Sequence, residues 1–257
     1  MIVVDKLCYS SKLRYVNAEE KFAFSLITLL ICVTCRSILC AVIILATMGI
    51  LTVKTGGTPF SRYRNLMTIP LTFLLLSTAA IIVNFSHTPL DAFAIPLGSI
   101  YITGSWNGIF RAAQLILTAL AAVSCLYFLS LTTPMTDILE VLRKLRCPGL
   151  FIELMLLIYR FLFVLLEIAS AIMTSQRSRL GNKDMKTSYR SFSQMVSVLF
   201  VRAMKKSNAL FDAMESRCYD GHIRVLSETF PPRKKEIAGI CVFEIVLLLC
   251  YIGSRLL

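Results

Sequence analysis

The sequence predicts an all-α integral membrane protein with about five transmembrane helices plus a cytoplasmic set of amphipathic helices. Hydrophobic residues make up 56% of the 257 residues and charged residues only 16%, whereas soluble domains carry about 25% charged residues. The apolar residues lie in blocks that approach the roughly 20 residues that an α-helix needs to cross a bilayer. Lys and Arg fall almost entirely on alternate connecting segments, a bias typical of multi-spanning membrane proteins. These three observations argue against a soluble fold.

The N-terminal segment and the apolar blocks define the predicted crossings. Residues 1–21 are mixed and polar, and no small-residue cleavage site follows an apolar core, so we expect no cleavable signal peptide. Only Arg36 and Ser37 separate the first two blocks, which predicts a tight helical hairpin. The segment 86–105 contains several Pro and Gly residues and is expected to be a loop. The predicted crossings are residues 22–35, 38–53, 66–85, 106–131 and 237–252.

Three further helices are predicted between the fourth and fifth crossings. Thr133-Pro134 is typical of a helix start, with Thr at the N-cap and Pro at the first helical position, and Pro148-Gly149 ends that helix. A long, mostly apolar helix is expected over 150–179, with Gly181 placed to cap its end. A third helix is expected over 191–217, where apolar residues recur at helical spacing on one face.

Charge predicts the orientation of the chain. Of the 27 Lys and Arg residues, all but Arg36, Arg111 and Arg255 lie on segments that alternate crossing places on one side. The positive-inside rule makes that side cytoplasmic, so we expect the N-terminus and the amphipathic helices in the cytoplasm of a cell-membrane protein, and the C-terminus outside. The predicted regions are 1–132 with four spans, 133–233 in the cytoplasm, and 234–257 as the last transmembrane helix.

Charged residues inside apolar segments have two interpretations each. The helix over 150–179 is hydrophobic enough to be a sixth crossing, but basic residues flank both of its ends and favour a position outside the bilayer core. Its polar residues are spaced by seven, so they lie along one face and favour a polar seam over transport chemistry. They are Glu153, Arg160 and Glu167. Glu244 in the last crossing is costly in a membrane, and either a functional role or a structural partner such as Arg111 would explain it.

The motifs of common catalytic and metal sites are missing from the sequence. The chain has no P-loop, no HExxH and no GxSxG, and it holds only two histidines, so we expect no catalytic residue, metal ligand set or cofactor on it. Cys32 and Cys35 form a CxxC inside an apolar block, where buried cysteine behaves as a small hydrophobe. The net charge of +12 raises nucleic acid as a partner, but the basic residues adjoin membrane blocks, so the lipid bilayer is the expected partner and nucleic acid is not.

Two short motifs share one arrangement. Ser178-Arg179-Leu180 and Ser216-Arg217-Cys218 each place a Ser-Arg pair in the last turn of a predicted amphipathic helix, shortly before a Gly. A guanidinium binds a carboxylate through two parallel hydrogen bonds, which suits a cationic tip for an acidic pocket. Cations near a helix C-terminus also complement the helix dipole without any partner. The residues alone leave both interpretations open.

Several motifs resemble one known family, and they extend over nearly the whole chain. They are Asp5-Lys6-Leu7, Tyr9-Ser10-Ser11-Lys12-Leu13-Arg14, Glu20-Lys21, Thr133-Pro134, Tyr159-Arg160-Phe161-Leu162-Phe163, Phe200-Val201-Arg202 and Ala213-Met214-Glu215-Ser216-Arg217. Together they resemble the T component of energy-coupling factor (ECF) transporters, closest to the cobalt-type subunit CbiQ. In that family, coupling helices end in Ala-Arg-Gly-like motifs that dock onto two cytoplasmic ABC ATPases.

The resemblance implies residue roles and partners. By position, the docking motifs fall on Ser178-Arg179-Leu180 and Ser216-Arg217-Cys218, where each Arg is kept, Ser replaces Ala, and Leu or Cys replaces Gly. Leu210, Phe211 and Met214 would pack between coupling helices or against a partner. The implied partners are two ATPases and a substrate-binding membrane subunit of the S type, with room for a small accessory membrane subunit.

The implied function is transmembrane coupling in an ECF-type importer of a transition-metal ion, with cobalt favoured over nickel and ATP hydrolysis on the partner chains. A stand-alone permease that binds its own substrate is the alternative. A membrane enzyme that uses Glu153, Glu167 or Glu244 as acid or base is a third hypothesis, which no motif supports.

Overall fold

The computed structural model describes residues 3–35, 37–82, 84–86, 93–97, 100–104, 106–221, 223 and 231–256. The chain forms two compact units. The first unit comprises residues 2–138 and 228–257, and the second unit comprises residues 139–227. The helices in chain order are α1 (Val3–Tyr9), α2 (Ala18–Cys35), α3 (Ile38–Ile50), α4 (Phe60–Ile82), α5 (Trp106–Thr132), α6 (Met135–Lys144), α7 (Gly149–Ser178), α8 (Met185–Glu215) and α9 (Lys234–Leu256). The predicted all-α membrane fold is confirmed.

Local sequence signals explain where the first helices begin. The Asn17 side chain accepts a 2.8 Å hydrogen bond from the Glu19 N–H, so α2 is capped there and begins at Ala18, four residues before the apolar block. A π-helical turn at Leu51–Thr55 continues α3 through the rest of the second predicted crossing. Two of the later helices also begin earlier than predicted, α4 at Phe60 and α8 at Met185.

The segment that was expected to be a loop contains a small sheet. Strands β1 (Asn84–Ser86), β2 (Phe93–Leu97) and β3 (Ile100–Gly104) pair antiparallel in the order β1-β3-β2. The prediction for 86–105 was therefore wrong in part. Its Pro and Gly residues favour a loop, but the Ile, Tyr, Phe and Thr residues between them favour strands.

Helix α5 lies at the centre of the first unit, where it packs against α1, α2, α3 and α4. Ala121 and Cys125 of α5 are fully buried, and the Ser25 hydroxyl of α2 donates a 2.8 Å hydrogen bond to the Cys125 carbonyl. Phe24 meets Phe128 edge to face, with ring centroids 5.8 Å apart. Small residues and interhelical hydrogen bonds of this kind hold helices together where lipid removes the hydrophobic driving force.

Four helical segments among the described residues are long and apolar enough to cross a membrane. They are Ile38–Thr55, Gly108–Thr132, Gly149–Ser178 and Glu236–Gly253. Three of them match predicted crossings. The first and third predicted crossings, in α2 and α4, are not among them, and α2 carries Glu19, Glu20 and Lys21 in its first turn. Helix α7 qualifies by length and composition, so its placement outside the bilayer stays a prediction that rests on its basic flanks.

The CxxC motif does not bring its two thiols together as a pair. The Cys35 thiol instead contacts the Cys40 thiol at 3.4 Å, across the turn between α2 and α3. Cys32 Sγ lies 3.7 Å from the Thr118 carbonyl oxygen of α5. Both Cys32 and Cys35 are free thiols.

Candidate functional site

Helix α7 ends in a Schellman motif that places Arg179 immediately before a left-handed residue. Leu180 has φ 57°, its N–H donates to the Arg177 carbonyl at 3.1 Å, and the Gly181 N–H donates to the Gln176 carbonyl at 2.8 Å. These two bonds satisfy carbonyls that the end of a helix would leave unpaired. Gly181 was expected to cap this helix; its N–H does close the turn, but the left-handed position is occupied by Leu180.

Helix α8 ends in the same geometry. Cys218 has φ 56° and donates its N–H to the Glu215 carbonyl at 2.9 Å, and the Tyr219 N–H donates to the Met214 carbonyl at 3.1 Å. Arg217 therefore stands before the left-handed residue, just as Arg179 does. Two segments recognised only by a shared dipeptide thus adopt one backbone conformation.

Both arginines are exposed, and no other described residue forms a hydrogen bond or an ion pair with either guanidinium. The serines before them behave differently. The Ser178 hydroxyl donates to the Thr174 carbonyl at 3.1 Å, and the Ser216 hydroxyl donates to the Ala213 carbonyl at 3.0 Å. Because each hydroxyl is taken up by its own helix, Ser can occupy a position where the resembled motif has Ala.

The residues that replace Gly in the two motifs are the left-handed ones, Leu180 and Cys218. A side chain at positive φ costs roughly 1 kcal/mol relative to Gly. Gly181 is required for a different reason, since a Cβ there would lie 2.8 Å from the Gln176 carbonyl oxygen and 2.9 Å from Ser191 Oγ. The close backbone approach at the end of α7 therefore occurs at Gly181, one residue after the replaced position Leu180.

A third helix end, which the sequence analysis predicted only from Pro148-Gly149, shares this backbone conformation. At the end of α6, Arg146 has φ 62°, its N–H donates to the Arg143 carbonyl, and the Cys147 N–H donates to the Leu142 carbonyl, both at 3.1 Å. Here the Arg itself is the left-handed residue, so the end does not repeat the Ser-Arg arrangement. Pro148-Gly149 marks this end in the sequence, but no Ser-Arg pair does.

Hydrogen bonds tie α7 and α8 together at both ends. The Gln176 side chain donates to the Ser191 carbonyl at 2.7 Å, and the Ser191 hydroxyl donates to the Gly181 carbonyl at 2.9 Å. At the other end, Glu153 accepts hydrogen bonds from Tyr219 and Ile223. With a rise of about 1.5 Å per residue, the stretch of α7 from Glu153 to Gln176 spans roughly 35 Å. Since Arg179 follows one tie and Arg217 precedes the other, the two arginines lie at opposite ends of the helix pair.

Comparison with known proteins decides the family. The model of the CbiQ family, described as cobalt transport protein, matches residues 9–227. The chain belongs to the CbiQ cobalt transport protein family. It is 35% identical to an uncharacterized protein of Methanocaldococcus jannaschii over 247 residues, which cover 96% of this chain and 91% of that protein. It is 31% identical to the cobalt transport protein CbiQ of Rhodobacter capsulatus over 237 residues, or 92% of each chain.

A third relative links the CbiQ chain to energy-coupling factor transporters. The energy-coupling factor transporter transmembrane protein EcfT of Bacillus subtilis is 29% identical over 159 residues, which cover 59% of this chain and 60% of that protein. The chain is therefore a membrane component of a transport family and does not belong to a catalytic one.

The apolar residues expected to pack along α8 have unequal surroundings in this CbiQ chain. Leu210 and Met214 are half-buried, whereas Phe211 is 61% exposed. Leu210 lines an open apolar groove of about 580 Å³ between α7 and α8. Its other walls include Leu157, Phe161, Leu165, Leu199 and Ala203. Phe211 is not among the residues that line this groove.

The three polar residues of the predicted seam are separated in the CbiQ fold. Glu153 is buried, while Arg160 and Glu167 are exposed along α7. The Tyr219 hydroxyl donates a 2.8 Å hydrogen bond to Glu153, and this bond raises the pKa of Tyr219 above its ordinary value of 10.0. A single stripe in the sequence therefore contains one buried acceptor and two solvent- or lipid-facing side chains.

Glu244 of the CbiQ chain pairs with a hydroxyl and not with the predicted arginine. Its Oε1 lies 2.7 Å from Thr28 Oγ1 of α2, and the side chain of Thr28 is fully buried. Arg111 is exposed, so the prediction of Arg111 as the partner was wrong. Within the described part of the chain, no three His, Cys, Asp or Glu side chains come together as ligands for a metal ion.

Proposed function

We propose that this chain is the transmembrane coupling subunit of an ECF-type ABC importer of cobalt. It transmits the movement of two ATPases to a separate substrate-binding membrane subunit. Membership in the cobalt transport family and the likeness to an energy-coupling factor transmembrane protein support this proposal. ATP binding and hydrolysis belong to the partner ATPases. Cobalt is bound by the substrate-binding subunit, so the discrimination between cobalt and nickel lies there.

The observation that carries the proposal is the pair of matching arginine ends at opposite ends of α7 and α8. Arg179 and Arg217 each precede a left-handed residue in the same type of hydrogen-bonded turn, and both are exposed. Tips roughly 35 Å apart along α7 are too far from each other for one pocket, and they suit two copies of one partner. Each guanidinium binds an acidic pocket of one ATPase. The docking residues are Ser178, Arg179, Leu180, Ser216, Arg217 and Cys218.

Transmission follows from the ties between the two helices. Because α7 and α8 are hydrogen-bonded at both ends, a displacement of either arginine moves the pair as a body. Phe211 and the groove beside Leu210 then carry that movement to the substrate-binding subunit through apolar contact. The release of the metal inside the cell follows from the reorientation of that subunit.

Replacement of Arg179 and Arg217 by Ala, singly and together, tests the docking role. Loss of a charge-assisted hydrogen bond costs roughly 1.5–3 kcal/mol, so each single change should weaken ATPase capture by at least about tenfold and the double change should abolish it. The measurement is co-purification of ATPases with the tagged chain in detergent. Arg202→Ala, an exposed arginine in the middle of α8, is the matched control. A double variant that retains the ATPases as tightly as the wild type would show that the docking role is wrong.

The stand-alone permease is tested by a second measurement. Purified chain alone in liposomes should take up no cobalt, whereas liposomes that also contain the ATPases and the substrate-binding subunit should take it up with ATP. Uptake by the chain alone would overturn the coupling proposal in favour of the permease.

A further inference from the structure

We propose that Glu153 is a positioning residue for Arg217. It accepts hydrogen bonds from the segment that follows α8 and thereby fixes the direction in which Arg217 points. This inference rests on the proposed docking of Arg217 to an ATPase. It adds a residue from the start of α7 to a site that the sequence places entirely at the end of α8.

At the start of α7, the carboxylate of Glu153 is buried next to the apolar side chain of Ile152, which is 1% exposed. Glu153 is 6% exposed, whereas its apolar neighbours Leu150, Phe151 and Leu154 are 71%, 61% and 47% exposed. Charged residues are seldom buried unless their polar atoms are paired, because removal of a carboxylate from water is costly. A buried acid beside exposed leucines therefore indicates a specific set of partners inside.

Those partners come from the chain just beyond Arg217. The Tyr219 hydroxyl donates to Glu153 Oε2 at 2.8 Å, and the Ile223 backbone N–H donates to Glu153 Oε1 at 3.1 Å. Among the described residues, each oxygen of the carboxylate thus accepts a hydrogen bond from the segment after Arg217. Donation to an ionised acceptor gives the stronger class of hydrogen bond.

The local backbone explains how the hydrogen bonds to Glu153 restrict the position of Arg217. Only Cys218, held in the left-handed conformation, lies between Arg217 and Tyr219, and successive Cα atoms are about 3.8 Å apart. Gly221, in the same segment, has φ 90°, a conformation that Gly adopts without strain. The arginine is therefore attached through one conformationally restricted residue to a side chain that Glu153 holds.

The first arginine end has no such dependence on a carboxylate. It is tied by the neutral side chains of Gln176 and Ser191 and by the close contact at Gly181. A change at Glu153 should consequently affect the contribution of Arg217 to docking and leave that of Arg179 unchanged. This asymmetry separates positioning from a general loss of fold.

Glu153→Gln is the informative variant, because it conserves shape but turns an NH₂ group toward one of the two donors. Its ATPase affinity is measured in three backgrounds: wild type, Arg179→Ala and Arg217→Ala. Positioning predicts a loss of about tenfold in the first two backgrounds and no further loss in the third, since residues in one network are strongly non-additive. Tyr219→Phe should give a smaller loss with the same dependence on background. Glu167→Gln, an exposed acid on the same helix, is the matched control and should leave affinity unchanged.

Each other result has a distinct meaning. An equal loss in all three backgrounds indicates a general structural effect and overturns the inference. If Arg217→Ala weakens capture while Glu153→Gln does not, the inference fails and the proposed function stands. If Arg217→Ala itself has no effect, both fail. The contact is checked separately by absorbance titration of the Tyr219 phenolate, measured as the difference between each protein and its Tyr219→Phe counterpart. Glu153→Gln should lower the pKa of Tyr219. An unchanged pKa would contradict the contact.

Discussion

At the scale of single residues, the two helix ends that carry Arg179 and Arg217 owe their shape to the left-handed residue that follows each arginine. Leu180 and Cys218 occupy the left-handed region, which disfavours side chains by roughly 1 kcal/mol. Both are exposed, so little packing offsets this cost. Each end nevertheless keeps both of its closing hydrogen bonds, which shows that the helix-end geometry tolerates residues other than Gly.

Leu180→Gly and Cys218→Gly should each stabilise the protein by about 1 kcal/mol, because Gly adopts the left-handed conformation without strain. The measurement is thermal unfolding in detergent by circular dichroism. Ser175→Gly, at an exposed position inside α7, should instead destabilise by about 1 kcal/mol, since Gly is unfavourable within a helix. A lower midpoint for Leu180→Gly would contradict the strain at that position.

At the scale of secondary-structure elements, Lys21 joins three parts of the first unit. Its Nζ donates to the Leu13 carbonyl at 3.0 Å and to the carbonyl of Thr132, the last residue of α5, at 3.2 Å. Asp137 in the first turn of α6 attracts the same ammonium group. A cation near the C-terminus of α5 also complements its dipole. Lys21 thus anchors the point where α5 ends and α6 begins.

Lys21→Met should destabilise the first unit by about 2–3 kcal/mol, because it conserves the apolar stem but leaves buried carbonyls without a charged donor. The free energy of unfolding can be compared by denaturant titration in detergent. Lys54→Met replaces an exposed lysine in the same unit and should change stability by less than about 0.5 kcal/mol. Equal effects of the two substitutions would rule out the anchor role of Lys21.

At the scale of the whole molecule, the helices packed around α5 and the two arginine-bearing helix ends belong to different compact units. The first unit holds most of the apolar helices around α5, while α7 and α8 of the second unit carry the two arginine ends. The second unit also contains α7, one of the four helical segments that are long and apolar enough to cross a membrane. The separation of the two ends predicts how many partner copies one chain contacts.

A photo-crosslinking amino acid placed at Ser178, at Ser216 or at both positions tests that number. Chains with one label should yield a product that contains one ATPase, and chains with both labels should also yield a product with two ATPases. The masses are read by gel electrophoresis and mass spectrometry. If doubly labelled chains never give the larger product, one ATPase occupies both ends and the two-partner arrangement is wrong.

Sequence alone determined the features that depend on neighbouring residues. Apolar blocks predicted the membrane class and the positions of most helices, because hydrogen bonds within a helix are local and its length must match the bilayer. The Ser-Arg motifs at 178–179 and 216–217 were found for the same reason, since a helix end is defined by a few consecutive residues.

Only the tertiary structure decided which distant residues meet. Glu153 and Tyr219 lie 66 positions apart and Thr28 and Glu244 lie 216 apart, so no spacing rule joins them. The sequence predicted a polar seam along α7, whereas in the fold Glu153 accepts a hydrogen bond from Tyr219, just after α8. It also suggested Arg111 as the partner of Glu244, whereas the partner is the Thr28 hydroxyl of α2. The placement of Arg179 and Arg217 at opposite ends likewise follows from the hydrogen bonds between α7 and α8, because those long-range contacts fix the helices antiparallel.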